Sequence, residues 1–378
     1  TEVEFKGLKI MAMNIEGLST VKAFRFAVEF LRHNPANMVV VDESTNIKNR
    51  DAKRTRNILQ LRTLAKYRRL LTGSPVTKSP MDLFSQCEFL EPSCLGFNSY
   101  YAFQGRYANV QRRQMGPRQF NQIVGYKRLD ELSEKLDQFS SRVLKDDCLD
   151  LPDKVYVRRD VPLTAEQTRM YAQMQKLALA QFDNGELSTT ASVLTQIMRL
   201  QQICCGFLAP DAGDIQPIDS YRLPELMSVI EELQGKAIIW ASYTYDIQQI
   251  AKALRDRFGP ESVATYYGAT AQDERQEIIE KFQDPDNALS FFVGQPRTGG
   301  FGITLTAAKT VIYYSNNYDL EIRLQSEDRA HRIGQTNKVT YIDLVTRGTI
   351  DEKILKALRN KINLASQALG EQARAWLL

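Results

Sequence analysis

Two acids stand directly against an aliphatic run in NMVVVDESTN, residues 37–46. A carboxylate at the end of a buried strand can bind Mg²⁺, usually through its waters, and a second beside it can position and deprotonate an attacking water. Asp42 and Glu43 are therefore candidates for a magnesium nucleotide site, although a solvated acidic turn would read the same way. LLTGSPV, residues 70–76, is a second apolar run ending in hydroxyls. Thr72 and Ser74 are suited to hydrogen-bond the carboxylates and sense a terminal phosphate, while Gly73 and Pro75 set the turn. The interval between the two runs has room for one strand-helix-strand unit, which predicts that the two strand ends are neighbours.

A third group lies far downstream, in RLQSEDRAHRIGQ, residues 323–335. As a helix it puts Gln325, Arg329 and Arg332 at i, i+4 and i+7 on one face. Two guanidiniums in one stripe suit phosphate oxygens, and an arginine finger is worth about 10³ to 10⁵ in rate. The competing reading is a surface ion-pair lattice in which Asp328 pairs with Arg332. His331 lacks partners for a metal site or a triad, and a structural role is expected of it. GQPRTGGFGITLTAA, residues 294–308, places Gly299, Gly300 and Gly302 where backbone could approach a ligand, and Thr304 and Thr306 offer hydroxyls to a phosphate backbone. A structural turn explains the same glycines. From Pro92 to Leu129 there is no acid, while Arg106, Arg112, Arg113 and Arg118 are interleaved with Tyr100, Phe103, Tyr107 and Phe120. Such a stretch could follow a phosphate backbone, or its rings could form the core of a helical insertion whose arginines are solvated.

These residues need elements to carry them. With 378 residues and 43% hydrophobic content the chain can bury two ordinary cores. Its net charge of +4 is too mild to mark a nucleic-acid binder by itself. Five cysteines form no C-x-x-C pair, which argues against structural zinc and for a reducing compartment. No basic-plus-apolar leader and no apolar run of membrane-spanning length is present. From Lys236 onward, short β-rich runs alternate with helical patterns, the rhythm of βαβ units on a mainly parallel sheet. Residues 1–80 repeat that grammar in shorter form, with uninterrupted aliphatic strands that suit a sheet covered on both faces. Residues 81 to about 235 are mostly helical in pattern.

In fixed order across two α/β lobes, these motifs resemble the Swi/Snf-type branch of the superfamily-two helicases, the motors of chromatin remodellers and their phage and prokaryotic relatives. DESTNIKN resembles the family's second motif, LTGSPV the third, GGFGITLTAA the fifth and QSEDRAHRIGQ the sixth. The resemblance implies two RecA-like lobes with parallel sheets, the first truncated, with helical insertions between them. Residues 1–80 correspond to the partial first lobe, 81–160 to an insertion and bridge, 161–235 to the helical start of the second lobe, and 236–378 to its helicase C-terminal domain. It further implies that Asp42 is the magnesium acid and Glu43 the water-activating base, with Arg329 and Arg332 as fingers from the second lobe. Gln325, Thr72, Ser74 and Gly300 serve ATP binding and coupling, and Thr304, Thr306, Arg112, Arg113 and Arg118 contact DNA. ATP and Mg²⁺ are the implied cofactors and double-stranded DNA the implied partner, for a monomer that works without a membrane beside replication, recombination or repair proteins. The implied setting is the cytoplasm of a bacterial or phage-infected host cell.

One part of the pattern is absent. No G-x-x-x-x-G-K-[ST] occurs, and the only Gly-Lys pair, Gly235-Lys236, leads into a strand. The expectation is a piece of a longer ATP-driven double-stranded DNA translocase, inactive alone without the amide and lysine cradle for the phosphates. The alternative is a non-catalytic DNA-binding or strand-annealing partner protein.

Overall fold

The computed structural model describes residues 7–73, 75–76, 79–115, 118–143, 148–183, 190–210, 213–299, 302–316, 319–356 and 358. They form two compact units that divide between Ser141 and Arg142.

In the first unit, helix α1 (Val21–His33) is capped by Thr20, whose hydroxyl accepts the Ala23 N–H at 3.3 Å. It leads to strand β1 (Met38–Val41), and helix α2 (Lys53–Leu61) crosses over to strand β2 (Tyr67–Leu70). The strands pair in parallel, from Met38 with Tyr67 to Val41 with Leu70. Val41, Ile47, Ile58, Leu61, Ala27, Leu31 and Phe89 form the core beneath them. Met38 and Val40, in contrast, are 53% and 49% exposed. The aliphatic run suited a strand covered on both faces, but among the described residues only one face of this pair is covered.

Helices α3 (Leu83–Leu90), α4 (Tyr100–Tyr107) and α5 (Leu129–Asp137) enclose a second core. Phe84, Phe97, Phe103 and Tyr107 meet there with ring centroids 5.0–5.8 Å apart. The residues after α4, helical in sequence pattern, instead form β3 (Ala108–Met115) and β4 (Arg118–Tyr126), a separate two-stranded sheet. Val110, Ile123, Val124 and Tyr126 favour extended backbone, and the Lys127 N–H closes the root of the pair by donating to the Tyr107 carbonyl at 2.9 Å.

The second unit is built on a six-stranded, wholly parallel sheet in the order β5-β12-β11-β8-β10-β9. Its strands are β5 (Lys154–Asp160), β8 (Lys236–Trp240), β9 (Val263–Tyr266), β10 (Phe291–Gly294), β11 (Ala308–Tyr313) and β12 (Val339–Val345), with two short strands, β6 (Phe207–Leu208) and β7 (Gln216–Pro217), paired apart from it. The central strand β8 alternates between two cores: Ala237 and Ile239 pack on one face, Ile238 and Trp240 on the other. This two-sided burial is why the run is aliphatic without a polar break. β5, in the span that sequence assigns to the bridge, is an edge strand here, in register with β12 from Lys154–Val339 to Asp160–Val345. Strand order reverses at β8, so ligand-binding groups are expected at the carboxyl ends of β8, β10 and β11.

One buried carboxyl sets a pH dependence. Asp246, in the first turn of the helix Thr244–Phe258, is buried. That burial pushes its carboxyl up to about 8, and the nearby Arg222 guanidinium offsets only part of the effect. A carboxyl held above its unfolded value near 3.8 stabilises the fold fully below that value, and the contribution is lost as pH rises through about 8. Thermal unfolding at pH 5 and pH 8.5 should show this. Asp246→Asn is expected to raise the melting temperature at the higher pH by several degrees and to flatten the decline between the two.

Candidate functional site

In the first unit the backbone bends sharply where the acids stand. β1 ends at Val41, Asp42 is exposed, and Glu43 has φ 48° and ψ 59°, the left-handed region that a side chain enters at a cost of about 1–2 kcal/mol. Several bonds hold it there. The Glu43 N–H donates to Asp42 Oδ1 at 2.9 Å, and the Glu43 carbonyl accepts from Asn46 N and Nδ2 at 2.9 and 3.0 Å. Strain maintained in this way is common where a side chain must be aimed. Leu71 N donates to the Val41 carbonyl and Ser44 N to the Leu71 carbonyl, at 2.9 and 3.1 Å, so the two strand ends are neighbours and half-buried Thr72 follows directly. Ser74 lies outside the described residues.

Gln86, which sequence reading passed over, ties these two loops together. Its Oε1 accepts from Ser44 Oγ at 2.6 Å, and its Nε2 donates to the Pro75 and Asp82 carbonyls, each at 2.8 Å. The signal was an amide among apolar neighbours in α3, since a fully buried amide must find partners. Mg²⁺ is usually held by one or two carboxylates with water and substrate phosphates, not by a protein cage. Among the described residues no group of three or more His, Cys, Asp or Glu side chains could form such a cage. Exposed Asp42 has the hard oxygen donor and the access which that mode requires.

In the second unit, the helix Leu320–Glu327 is capped by Asp319, which accepts the Glu321 N–H at 3.1 Å. It stops at Glu327, and this corrects the expectation of one helical face through Gln325, Arg329 and Arg332. The Arg329 carbonyl accepts from Leu305 N at 2.9 Å instead of continuing the helix, and the Arg332 carbonyl accepts from Gln335 N at 3.0 Å. The turn brings the two guanidiniums together by another route. Arg329 and Arg332 both donate through a terminal nitrogen to the Ile303 carbonyl, at 3.2 and 3.3 Å. Gln335 fastens this loop to its neighbour by donating to the carbonyls of Thr306, Ala308 and Ala330 at 3.0–3.1 Å. Gln325 is half-buried and reaches Glu321 at 3.4 Å. Asp328 lies 3.7 Å from Lys154. His331 is buried with Nε2 2.8 Å from the Pro152 carbonyl, a structural placement.

A second network missed in the sequence supports this turn. Buried Arg323 donates to Glu327 at 2.8 Å, to Asp343 at 2.5 and 3.2 Å, and to Asn316 at 2.8 Å, with its guanidinium 3.4 Å from the Tyr313 ring centre. Burial opposes its charge, yet Asp343, Tyr313 and Glu327 hold its pKa well above the usual arginine value. Glu327 also accepts from Tyr156 at 2.8 Å and Lys154 at 3.2 Å, both on β5. Burial and the Glu327 charge raise the Tyr156 pKa and keep that phenol protonated as a donor.

The remaining candidates are more scattered. In the loop after β10, Gly302 has φ +74°, a conformation that favours glycine. Gly300 lies outside the described residues. Thr304 is half-buried, and the Thr306 hydroxyl accepts from Gln283 at 3.0 Å, which holds the loop from inside. Arg112 is exposed on β3, whereas the side chains of Arg113 and Arg118 lie outside the description. The rings of α4 fall on the structural side of the alternative: Phe103 and Tyr107 are fully buried, and Arg106 pairs with Glu131 at 2.5 Å. Tyr101 is exposed, and Arg50 stacks over Tyr100 and Tyr101 at 4.2 and 4.9 Å. No helix among the described residues is long and apolar enough to cross a membrane.

Comparison with known proteins adds independent findings. The SNF2-related domain matches residues 10–207, and the helicase conserved C-terminal domain matches residues 222–334. The chain is 30% identical over 354 residues to the Bacillus subtilis protein YwqA, whose name describes an ATP-dependent helicase/translocase; the match covers 90% of this chain and 36% of that protein. It is 28% identical over 351 residues to the SWI/SNF chromatin-remodeling complex subunit snf22 of Schizosaccharomyces pombe, covering 88% of this chain and 20% of the relative. With the mouse DNA annealing helicase and endonuclease ZRANB3 it shares 29% identity over 341 residues, 88% of this chain and 30% of the relative. The chain thus spans little more than a third of the longest-matched of these relatives, and less of the others.

Proposed function

The chain belongs to the SNF2-related family of helicases, and on that premise we propose that it is the motor portion of an ATP-driven double-stranded DNA translocase. The observation that carries this reading is the convergence of Arg329 and Arg332 on the Ile303 carbonyl. Two guanidiniums held at one oxygen repel each other, and the arrangement is best used when an anion with several charged oxygens sits before them. A triphosphate is such an anion.

Each residue then has a defined task. Asp42 would hold Mg²⁺, which would supply charge neutralisation for the phosphate oxygens. Glu43, fixed in its left-handed bend, takes the proton of the attacking water. Arg329 and Arg332 stabilise charge that develops on the transferred phosphoryl group. Thr72 reports the state of that group to β2, whose end is bonded to the acidic loop. Gln325 completes the nucleotide contacts, and Arg112 and Thr304 belong to the DNA-facing set.

The names of YwqA and ZRANB3 support helicase or translocase chemistry and action on DNA. The second reading is a non-catalytic DNA-binding or annealing partner, and the relative named a DNA annealing helicase supports its annealing part. The natural polypeptide, assayed for ATP hydrolysis with and without duplex DNA, separates the two. A DNA-stimulated rate that Glu43→Gln lowers by about 10²- to 10⁴-fold, with duplex binding retained, supports the motor. Hydrolysis at background with firm duplex binding would leave only the partner reading.

A further inference from the structure

The segment from Ala108 to Arg128 carries Arg112, Arg113, Arg118, Lys127 and Arg128 and no acid. In the fold it is the two-stranded sheet β3–β4, joined to no other sheet. Asn109, Val110, Gln111 and Arg112 are exposed in succession, and so are Asn121 and Gln122 on the other strand. Neighbouring residues on a strand point to opposite faces, so along these stretches both faces of the ribbon are open. A lone pair of strands gains little from burial and is marginal in water.

Its root is firmly held. Fully buried Tyr107 donates to Glu131 at 2.9 Å, Tyr126 donates to Ser79 at 2.8 Å, and Lys127 N donates to the Tyr107 carbonyl at 2.9 Å. A fixed base with exposed Arg112, Lys127 and Arg128 and exposed amides on its strands is a shape that calls for a polyanionic groove. We propose that the β3–β4 ribbon enters the major groove of duplex DNA. That groove is about 12 Å wide and admits a two-stranded ribbon, while arginine can donate to both acceptors of a guanine edge and glutamine can donate to N7 and accept from N6 of adenine. The absence of acids leaves nothing on the ribbon to repel the flanking phosphates.

One short path leads from the ribbon's preceding helix to the segment that follows the acidic motif. The ribbon continues directly from α4, whose Tyr100 and Tyr101 hold Arg50, and Arg50 follows the acidic motif in sequence. Groove occupancy can therefore bear on the loop that carries Asp42 and Glu43. The inference rests on duplex DNA being the substrate, and its test separates the two claims.

The chain is titrated with a fluorescein-labelled duplex of mixed sequence, and guanine N7 in the bound duplex is probed with dimethyl sulfate. Wild type is expected to protect N7 over a short stretch. Arg112→Ala combined with Arg113→Ala and Arg118→Ala should abolish that protection and weaken binding at least about tenfold at constant salt. Thermal unfolding confirms that the variant keeps its fold, and a triple lysine variant should restore part of the affinity but not the full protection, because lysine lacks the bidentate fork. Firm duplex binding by wild type with every N7 still reactive overturns groove entry and leaves the motor reading standing. Folded triple-alanine protein that protects N7 like wild type overturns it as well. Absence of duplex binding by wild type removes both.

Discussion

Arg329→Ala in the natural polypeptide is expected to lower DNA-stimulated ATP hydrolysis by about 10³-fold or more, with duplex affinity changed only a few-fold. The rate loss follows from the charge that a guanidinium places against a transferring phosphoryl group. Arg332→Ala should fall in the same range, because the two side chains are anchored to the same carbonyl within 0.1 Å of the same distance, 3.2 against 3.3 Å. Residues that act as a unit are not additive, so the double variant should be little worse than either single one. Arg329→Lys should not restore the rate, since an ammonium offers no planar fork. Steady-state hydrolysis across ATP concentrations checks the assignment. A defect confined to KM, with kcat intact, would mean that these arginines bind ground-state nucleotide only.

The second large effect is on stability. Arg323→Ala should destabilise the second unit by about 3–5 kcal/mol, because it leaves Asp343 buried without its cation and Glu327 with only Lys154 and Tyr156. Both carboxylates are nearly inaccessible, and Arg323 is the group that bonds to each of them. Urea unfolding followed by far-ultraviolet circular dichroism should show a lower midpoint for this variant. Arg323→Lys should recover little, since one ammonium cannot bridge Glu327, Asp343 and Asn316 from the same position. Should Arg323→Ala unfold at the wild-type midpoint, the network is not holding the turn that bears Arg329 and Arg332.

Particular residues show where reading the chain succeeds. The VVVDES and LLTG runs predict two strands with adjacent ends, and the register of Val41 with Leu70 delivers that adjacency. The alternation after Lys236 predicts a parallel α/β sheet, and the structure has one of six strands. Both depend on local pattern: aliphatic periodicity and the type of residue that ends a strand survive in one dimension. The partners of Gln86 and Arg323 do not. Gln86 meets Ser44 across 42 positions of sequence, and Arg323 meets Asp343 across 20.

By itself the sequence determined the alternation of strands and helices in the second unit, through local periodicity, and its motifs carried the family resemblance that the domain match bears out. Tertiary structure alone decided three things: that Glu43 adopts a left-handed bend, that Arg329 and Arg332 meet at the Ile303 carbonyl off the end of a helix, and that the basic stretch after Tyr107 is a ribbon. At Arg329 the backbone leaves the helix for a hydrogen bond to a distant segment, from Leu305 N to its carbonyl, and such a long-range bond leaves no periodic trace in the chain that makes it; the Glu43 bend is held by Asp42 and Asn46 beside it, and the ribbon takes the extended backbone its β-branched and aromatic residues favour.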